Sequence, residues 1–281
     1  MDNQEKKKVG ILGYGNMGQA IAERIKNSYA VYVFDKDADK ISGLKDIFVV
    51  NDALSLVKQT EIIILAVKPQ DFPELLDKIK DFSAQKVFIT IAAGITTQYL
   101  KSELGIKARV VRVMPNMPAQ IGRGVSVISK GSLATDADAD LAWQLAHNIF
   151  SNLGGVLMVE NEKMINAATA VSGSGPAFFC YYIKDKKNAR AKKEEFIMRL
   201  ADAAVNLGFD KSQAQFLAEK TVDGIIAMLN EKNLSCAEVI KMVSSKGGTT
   251  QAGLEVLGAG GSLDEAVRSA YERAEELGKR S

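Results

Sequence analysis

Val9-Gly10-Ile11-Leu12-Gly13-Tyr14-Gly15-Asn16-Met17-Gly18 decides the fold. An apolar run of strand length ends on a GxGxxG turn, and the pattern Gln19–Lys26 that follows reads as a helix. In that setting each glycine has a separate task. Gly13 makes the tight turn, Gly15 lets a pyrophosphate approach the backbone, and Gly18 permits close helix–strand packing. The phosphates then meet the unpaired amides and positive dipole of a helix N-terminus. The whole turn, with Tyr14, Asn16 and Met17 between its glycines, is therefore expected against a dinucleotide. The next apolar run, Val31–Phe34, delivers Asp35 at its carboxyl end. A carboxylate there bonds the adenosine ribose hydroxyls and repels a 2′-phosphate, which leans towards NADH. Lys36 follows at once and offsets part of that charge, so NADPH stays open.

Working outward, Ile62–Val67, Val87–Ile91 and Val110–Met114 are further short apolar runs, each closed by Lys-Pro, Ala-Ala-Gly or Pro and separated by helical patterns. Such runs mark a parallel sheet covered on both faces. Gly124–Ser129 and Gly155–Val159 read as added edge strands. The carboxyl ends of the strands form the ligand crevice. They place Ala66, Val67, Lys68 and Pro69, then Ala92, Ala93 and Gly94, then Asn116, along it. After about residue 161 the strand signal stops. Met164–Val171, Ala177–Leu207, Lys211–Glu231, Ser235–Val243 and Leu263–Leu277 carry helical spacing, and Ser262 with Glu265 forms a capping box. The expected class is α/β: a Rossmann domain, doubly wound on a mainly parallel sheet, over 1–160, then an all-helical domain over 161–281.

Composition narrows the function. The chain has 281 residues, 47% of them hydrophobic, with 36 basic and 34 acidic residues for a net charge of +2. That balance makes no case for nucleic acid or an anionic membrane. The two cysteines, Cys180 and Cys236, lie far apart in sequence without metal spacing, and read as structural thiols of a reducing compartment. Met1–Lys8 leads into a strand with no apolar targeting segment, and no apolar run is long enough to span a bilayer. A cytoplasmic, soluble protein without a metal centre is expected. The one histidine, His147, lies on the helical run Ala137–Phe150 and reads as structural or solvated; Trp143 on the same run reads as core.

A second glycine-rich turn, Ser244-Ser245-Lys246-Gly247-Gly248-Thr249-Thr250, opens another helical pattern. Paired glycines, hydroxyls and a helix N-terminus make a cradle for an anion, carboxylates included. One chain with two different cradles points to a cofactor at one and an acid substrate at the other. Together these motifs resemble the pyrroline-5-carboxylate reductase family. The matching pieces are Gly10–Ala20, Ala66–Gln70, Ile91–Ile95, Val111–Gly124, Thr169-Ala170-Val171-Ser172-Gly173-Ser174-Gly175-Pro176-Ala177 and Ser245–Leu257, in family order across nearly the whole chain.

The resemblance implies hydride transfer from NADPH or NADH to the C=N carbon of pyrroline-5-carboxylate, giving L-proline. It also implies a C-terminal helical domain that makes a homodimer, which many members extend to a decamer. Carried over, the amides of Gly247, Gly248 and Thr249 and the Ser245 hydroxyl hold the substrate carboxylate. Thr250 faces the ring nitrogen, orienting first and delivering a proton second. Ser174, Gly175 and Pro176 open a helix beside the site.

Three departures stand out. Lys246 replaces the family's usual proline in the cradle, removing a fixed φ angle and adding a cation that points at the substrate carboxylate or, the favoured reading, at solvent. Lys184–Arg199 puts sixteen residues where the family has about two, an excess of close to four helical turns. It reads as a solvated helix extension, a mobile loop or a projection towards a partner. Third, members often carry a cofactor-contacting Asn near the match for Asn51-Asp52-Ala53. Two other readings share the plan: a β-hydroxyacid dehydrogenase-like reductase, whose catalytic lysine gives way here to Phe178-Phe179-Cys180-Tyr181-Tyr182, and a non-catalytic nucleotide-binding paralogue.

Overall fold

The computed structural model describes residues 6–129 and 137–279. Of the N-terminal stretch Met1–Lys8, residues 1–5 therefore lie outside it. Eight strands form one sheet: β1 Lys8–Leu12, β2 Ala30–Phe34, β3 Phe48–Val49, β4 Ile62–Leu65, β5 Val87–Thr90, β6 Arg109–Pro115, β7 Gly124–Ser129 and β8 Gly154–Val159. Their order is β3-β2-β1-β4-β5-β6-β7-β8, parallel throughout except for the antiparallel β6–β7 pair. The order reverses between β1 and β4, where a doubly wound sheet opens its ligand crevice. Runs such as Ile62-Ile63-Ile64-Leu65 are buried at every position, as strands covered on both faces require.

One strand reading needs correction. Gly124–Ser129 is no edge strand: it lies between β6 and β8, and all six of its residues are buried. Gly155–Val159 does form an edge, as β8, while the opposite edge, β3, has only two residues, both exposed, and carried no signal.

Helices cover both faces. On one side α1 Asn16–Ile25 and α5 Ala137–Phe150 pack on a core of Ile11, Ile64, Ile89 and Val113. On the other, α2 Ala53–Gln59, α3 Phe72–Ile79 and α4 Thr97–Leu104 pack on Leu12, Leu65, Phe88 and Val110. Val110, Arg112 and Met114 share that second face because side chains alternate along a strand. Beyond Arg112 the helices of the C-terminal half take over, burying Met114, Val125 and Val127 in a core shared with Phe178, Leu217 and Val222. His147 is exposed and Trp143 is half-buried against the first core.

Arg112 marks the seam. It is 2% exposed; its Nη1 lies 3.4 Å from Glu162 Oε1 and its Nη2 donates to Asn166 Oδ1 at 3.0 Å. Glu162 also accepts from the Thr97 amide at 2.9 Å and from the Thr97 hydroxyl. One ion pair thus links β6, the start of α4 and the first helix of the C-terminal half.

That half contains α6 Met164–Ala168, α7 Gly175–Ile183, α8 Ala189–Asn206, α9 Lys211–Glu231, α10 Cys236–Val243, α11 Thr249–Gly258 and α12 Leu263–Gly278. The Ser172–Pro176 motif opens α7, as expected, with Ser174 as its N-cap, and a π-helical turn over Thr169–Gly173 joins it to α6. Nor is Ala177–Leu207 one helix. At Lys184 the backbone turns to φ 62°, and Asn188 Nδ2 donates to the Ile183 carbonyl at 2.9 Å, closing the end of α7. The chain reverses, and α8 packs on α9 and α12. Phe196, inside the extra segment, is 1% exposed and meets the Phe179 ring edge-on at 5.1 Å between centroids. The insert is thus a core-forming element rather than an extension or projection.

Phe196→Ala should destabilise the protein by about 3–5 kcal/mol, measured by denaturant unfolding. Four helices carry acidic caps: Asp52 on α2, Asp210 on α9, and the capping-box residues Glu238 on α10 and Glu265 on α12. Backbone hydrogen bonds hold all four carboxyls below their ordinary values. Because the folded values are depressed, their stabilisation is complete above the unfolded values and is lost as pH falls through the folded ones. The melting temperature should therefore drop as pH falls below about 4. In the double variant Glu238→Gln/Glu265→Gln that drop should shrink.

Candidate active site

At the switch point, Gly13 adopts φ 99°, and a Cβ there would lie 2.7 Å from the Ala66 carbonyl carbon. Its amide donates to the Phe34 carbonyl at 2.8 Å, tying the turn to the end of β2. A Cβ on Gly18 would sit 2.0 Å from the Gly13 oxygen, so only glycine lets α1 start this close to the turn. Gly15 differs: a Cβ there would meet nothing within 4 Å, and as N-cap of α1 it supplies no side-chain cap. The first amides of α1 consequently face open space beside a bare backbone. That cradle opens into a cleft of about 500 Å³. Gly13, Gly15, Asp35, Lys36, Ala66, Val67 and Lys68 all line it. Tyr14, Asn16, Met17, Gly18, Pro69, Ala92, Ala93, Gly94 and Asn116 do not. Tyr14 and Met17 turn instead to the core beneath, where burial pushes the Tyr14 hydroxyl up from its ordinary pKa.

Asp35 faces both the cleft and the glycine turn. Its Oδ2 accepts from the Tyr14 amide at 2.6 Å and its Oδ1 from the Asp37 amide at 2.9 Å. Lys36 donates to Asp71 at 2.8 Å, and Lys40 lies 3.4 Å from Asp37 and 3.6 Å from Asp35. Both lysines at this end are thus matched by acids. Lys40 and Asp71 also line the cleft and were not anticipated, since nothing in their spacing sets them apart from surface residues. Asp52 lines it too, as the N-cap of α2, accepting from the Ser55 amide at 2.7 Å. Asn116 is 2% exposed and its Oδ1 accepts from the Val125 amide at 2.8 Å. Its Nδ2 is buried with no partner among the described residues. An open helix N-terminus with a carboxylate beside it at the end of β2 fits a bound dinucleotide.

The second cradle differs in part from the expectation. The Gly247 amide donates to Gln251 Oε1 at 2.8 Å, and the Gly248 amide to the Ser245 carbonyl at 3.0 Å. Of the three amides assigned to a carboxylate, those two are already engaged. Gly248 caps α11 without a side chain, so the amides of its first turn, from Thr249 and Thr250, remain unpaired within the helix. Lys246 is exposed. Ser174 joins the two C-terminal motifs: the Thr250 hydroxyl donates to Ser174 Oγ at 3.0 Å, and Thr249 Oγ1 lies 3.3 Å from the same oxygen. All three side chains are buried. Gly175 and Pro176 behind them are buried in the first turn of α7. Cys180, one turn further, is buried beside Cys236, and that burial pushes its thiol well above the ordinary range, so it is no nucleophile.

The residue that holds this loop escaped the sequence reading. Arg273 Nε, on α12, donates to the Gly247 carbonyl at 2.8 Å, and its Nη1 pairs with Glu276 at 2.6 Å. Four residues on, the backbone of Leu277 lies 3.1 Å from where a Cβ on Gly94 would stand. Gly94 and the buried Ala92 belong to the loop after β5, and Ala93 packs on the core of the C-terminal half. Four residues of helix span about 6 Å. One turn of α12 therefore touches both the carboxylate cradle and the crevice loop of the sheet.

A doubly wound sheet with a glycine-rich turn at its switch point, joined through α12 to a second glycine-rich helix start, is the plan of a nicotinamide-dependent oxidoreductase. Comparison with known proteins agrees. A family model described as pyrroline-5-carboxylate reductase dimerisation matches residues 162–277, and one described as NADP oxidoreductase coenzyme F420-dependent matches 8–94. The pyrroline-5-carboxylate reductase of Methanosarcina acetivorans is 35% identical over 295 aligned residues covering 100% of both chains. Among solved structures, the Coxiella burnetii enzyme of that name superposes with a TM-score of 0.64 at 28% identity, over 97% of this chain and 99% of that one. The Plasmodium falciparum pyrroline carboxylate reductase with NADP bound gives 0.63 at 25%, over 98% and 100%. The chain belongs to the pyrroline-5-carboxylate reductase family.

Arg273→Ala should leave Gly247 without its brace. Amide hydrogen exchange across 245–249 should rise while that of 13–18 stays unchanged.

Proposed function

We propose that this protein reduces the C=N bond of 1-pyrroline-5-carboxylate to L-proline, with the chain dividing near residue 160 into a dinucleotide-binding part over 1–160 and a substrate-binding, dimerising part over 161–281. The observation that carries the reading is α12, which touches the crevice loop at Gly94 and the cradle at Gly247 one turn apart. The match to the dimerisation model over 162–277 supports a homodimer.

The reduced nicotinamide supplies the hydride when bound. Gly13, Gly15 and the first turn of α1 hold its pyrophosphate, Asp35 its ribose, and the loops at Val67–Pro69, Ala92–Gly94 and Asn116 the ring. The substrate carboxylate rests on the Thr249 and Thr250 amides and the Ser245 hydroxyl, with the Arg273 cation behind the loop. Gly247 and Gly248 shape that loop through their occupied amides. Thr250 presents its hydroxyl to the ring nitrogen. Ser174 sets Thr250, and Gly175 and Pro176 hold the turn beneath. This division of labour needs position and electrostatics, since hydride chemistry belongs to the cofactor.

NADH is the proposed reductant. At the ribose end three carboxylates, Asp35, Asp37 and Asp71, outnumber two lysines, both already paired. A 2′-phosphate would add negative charge beside Asp35, where the neighbouring Lys36 and Lys40 are already paired.

Oxidation of NADH by the purified protein with pyrroline-5-carboxylate, against NADPH and hydroxyacid controls, tests the whole reading. Turnover should be confined to the imine, with kcat/KM for NADH about tenfold or more above NADPH, and Asp35→Asn should narrow that gap. No turnover with either cofactor sinks the assignment. Thr250→Ala should lower kcat/KM roughly 10- to 100-fold, the size of one hydrogen bond to a charged group. An unchanged rate would remove Thr250 from its role.

A further inference from the structure

Ser174 stands where the π-helical turn meets α7 and is fully buried. Its amide donates to the Thr169 carbonyl at 2.9 Å, and its hydroxyl donates to the same carbonyl at 3.3 Å. A carbonyl only accepts, and a serine hydroxyl carries a single proton. With that proton directed at Thr169, the Ser174 oxygen can only accept from its neighbours. Thr250 Oγ1 donates to it at 3.0 Å. The one proton of Thr250 is thereby turned inward, and the hydroxyl shows lone pairs to its other side, next to the uncapped amides of α11.

A lone pair accepts from an N–H and opposes another lone pair. A neutral imine nitrogen carries only a lone pair in the plane of its ring, whereas a protonated imine carries N–H⁺. We propose that Ser174 is a positioning residue which fixes the Thr250 hydroxyl as an acceptor, so that the site selects the ring nitrogen of its substrate in the protonated form. This rests on the reading of Ser245–Thr250 as the substrate site.

The electron and proton balance follows. The ring carbon gains a hydride, the C=N π pair moves onto nitrogen, and nitrogen already bears its hydrogen, so the product is a neutral secondary amine. No proton moves in that step, and solvent supplies the second N–H proton afterwards. This accounts for a feature of the site that acid–base catalysis leaves unexplained. Among the described residues, the hydrogen bonds of the Ser174, Thr249 and Thr250 side chains run only to one another and to the Thr169 carbonyl, with no titratable side chain joined to them.

Two ligands of one shape separate donor from acceptor at the ring position. L-Proline presents NH₂⁺, and tetrahydro-2-furoate presents a bare oxygen, with the same carboxylate beside it. By isothermal titration at neutral pH, the wild-type protein should bind L-proline roughly tenfold or more tightly than tetrahydro-2-furoate. Ser174→Ala releases the Thr250 proton to turn outward, so tetrahydro-2-furoate should gain affinity and the ratio should fall several-fold. The charge difference between the ligands is the same in both proteins, so a change in ratio reads the hydroxyl direction. Thr250→Val, which removes the hydroxyl altogether, should lower the ratio as well and serves if Ser174→Ala fails to fold. Equal or tighter wild-type binding of tetrahydro-2-furoate would overturn the proposal, as would an unchanged ratio in a folded variant. Binding of neither ligand would overturn the substrate assignment beneath it, a separate outcome from the wrong preference.

Discussion

The hydrogen bond from Arg273 Nε to the Gly247 carbonyl holds the second half of the site to the first. The cradle loop lacks the proline that would fix a φ angle at position 246, and Gly247 sits at φ 68°, where only glycine is at ease. Left to itself such a loop samples many conformations. Here Gln251 takes its amide and Arg273 its carbonyl, so side chains from α11 and α12 replace the rigidity that a pyrrolidine ring would supply. A neutral hydrogen bond contributes about 1 kcal/mol and one to a charged group about 1.5–3, comparable with the ordering cost of a few loop residues. Arginine suits the task because its planar fork serves Gly247 through Nε while Nη1 is held by Glu276.

Position matters as much as strength. Because Leu277 abuts Gly94, any shift of α12 moves the cradle and the crevice loop together. The Arg112–Glu162 pair at the seam resists such shifts from the other end, joining β6 to α4 and to the entry of the C-terminal half. The π-helical turn belongs to the same design. An extra residue in that turn directs Ser174 towards α11, and such turns recur at functional sites.

Much of this was readable before the structure. The GxGxxG turn, the strands with apolar runs, helices α9 and α10, and α12 with its cap carry local signals: residue type at fixed offsets and a clean periodicity. The two cradles were readable for the same reason. What escaped depends on distance or on a single backbone angle. Arg273 has ordinary surface spacing on an amphipathic helix, and nothing local says that it reaches a loop 26 residues earlier. The reversal at Lys184 lacks Gly and Pro; its only traces were Asp185 and Asn188, residues that favour turns. The engagement of the Gly247 amide by Gln251 is likewise a side-chain contact that motif matching passes over. β3 was invisible because two exposed residues have no period.

The central claim is that the two cradles serve one transfer, from the dinucleotide to a carbon of the carboxylate-bearing ring. Its most direct measurement is the fate of the label when NADH carrying deuterium at the transferred position is oxidised with pyrroline-5-carboxylate in ordinary water. The account predicts L-proline with one deuterium on C5 and none lost to solvent. Unlabelled proline, or oxidised dinucleotide without proline, would contradict it.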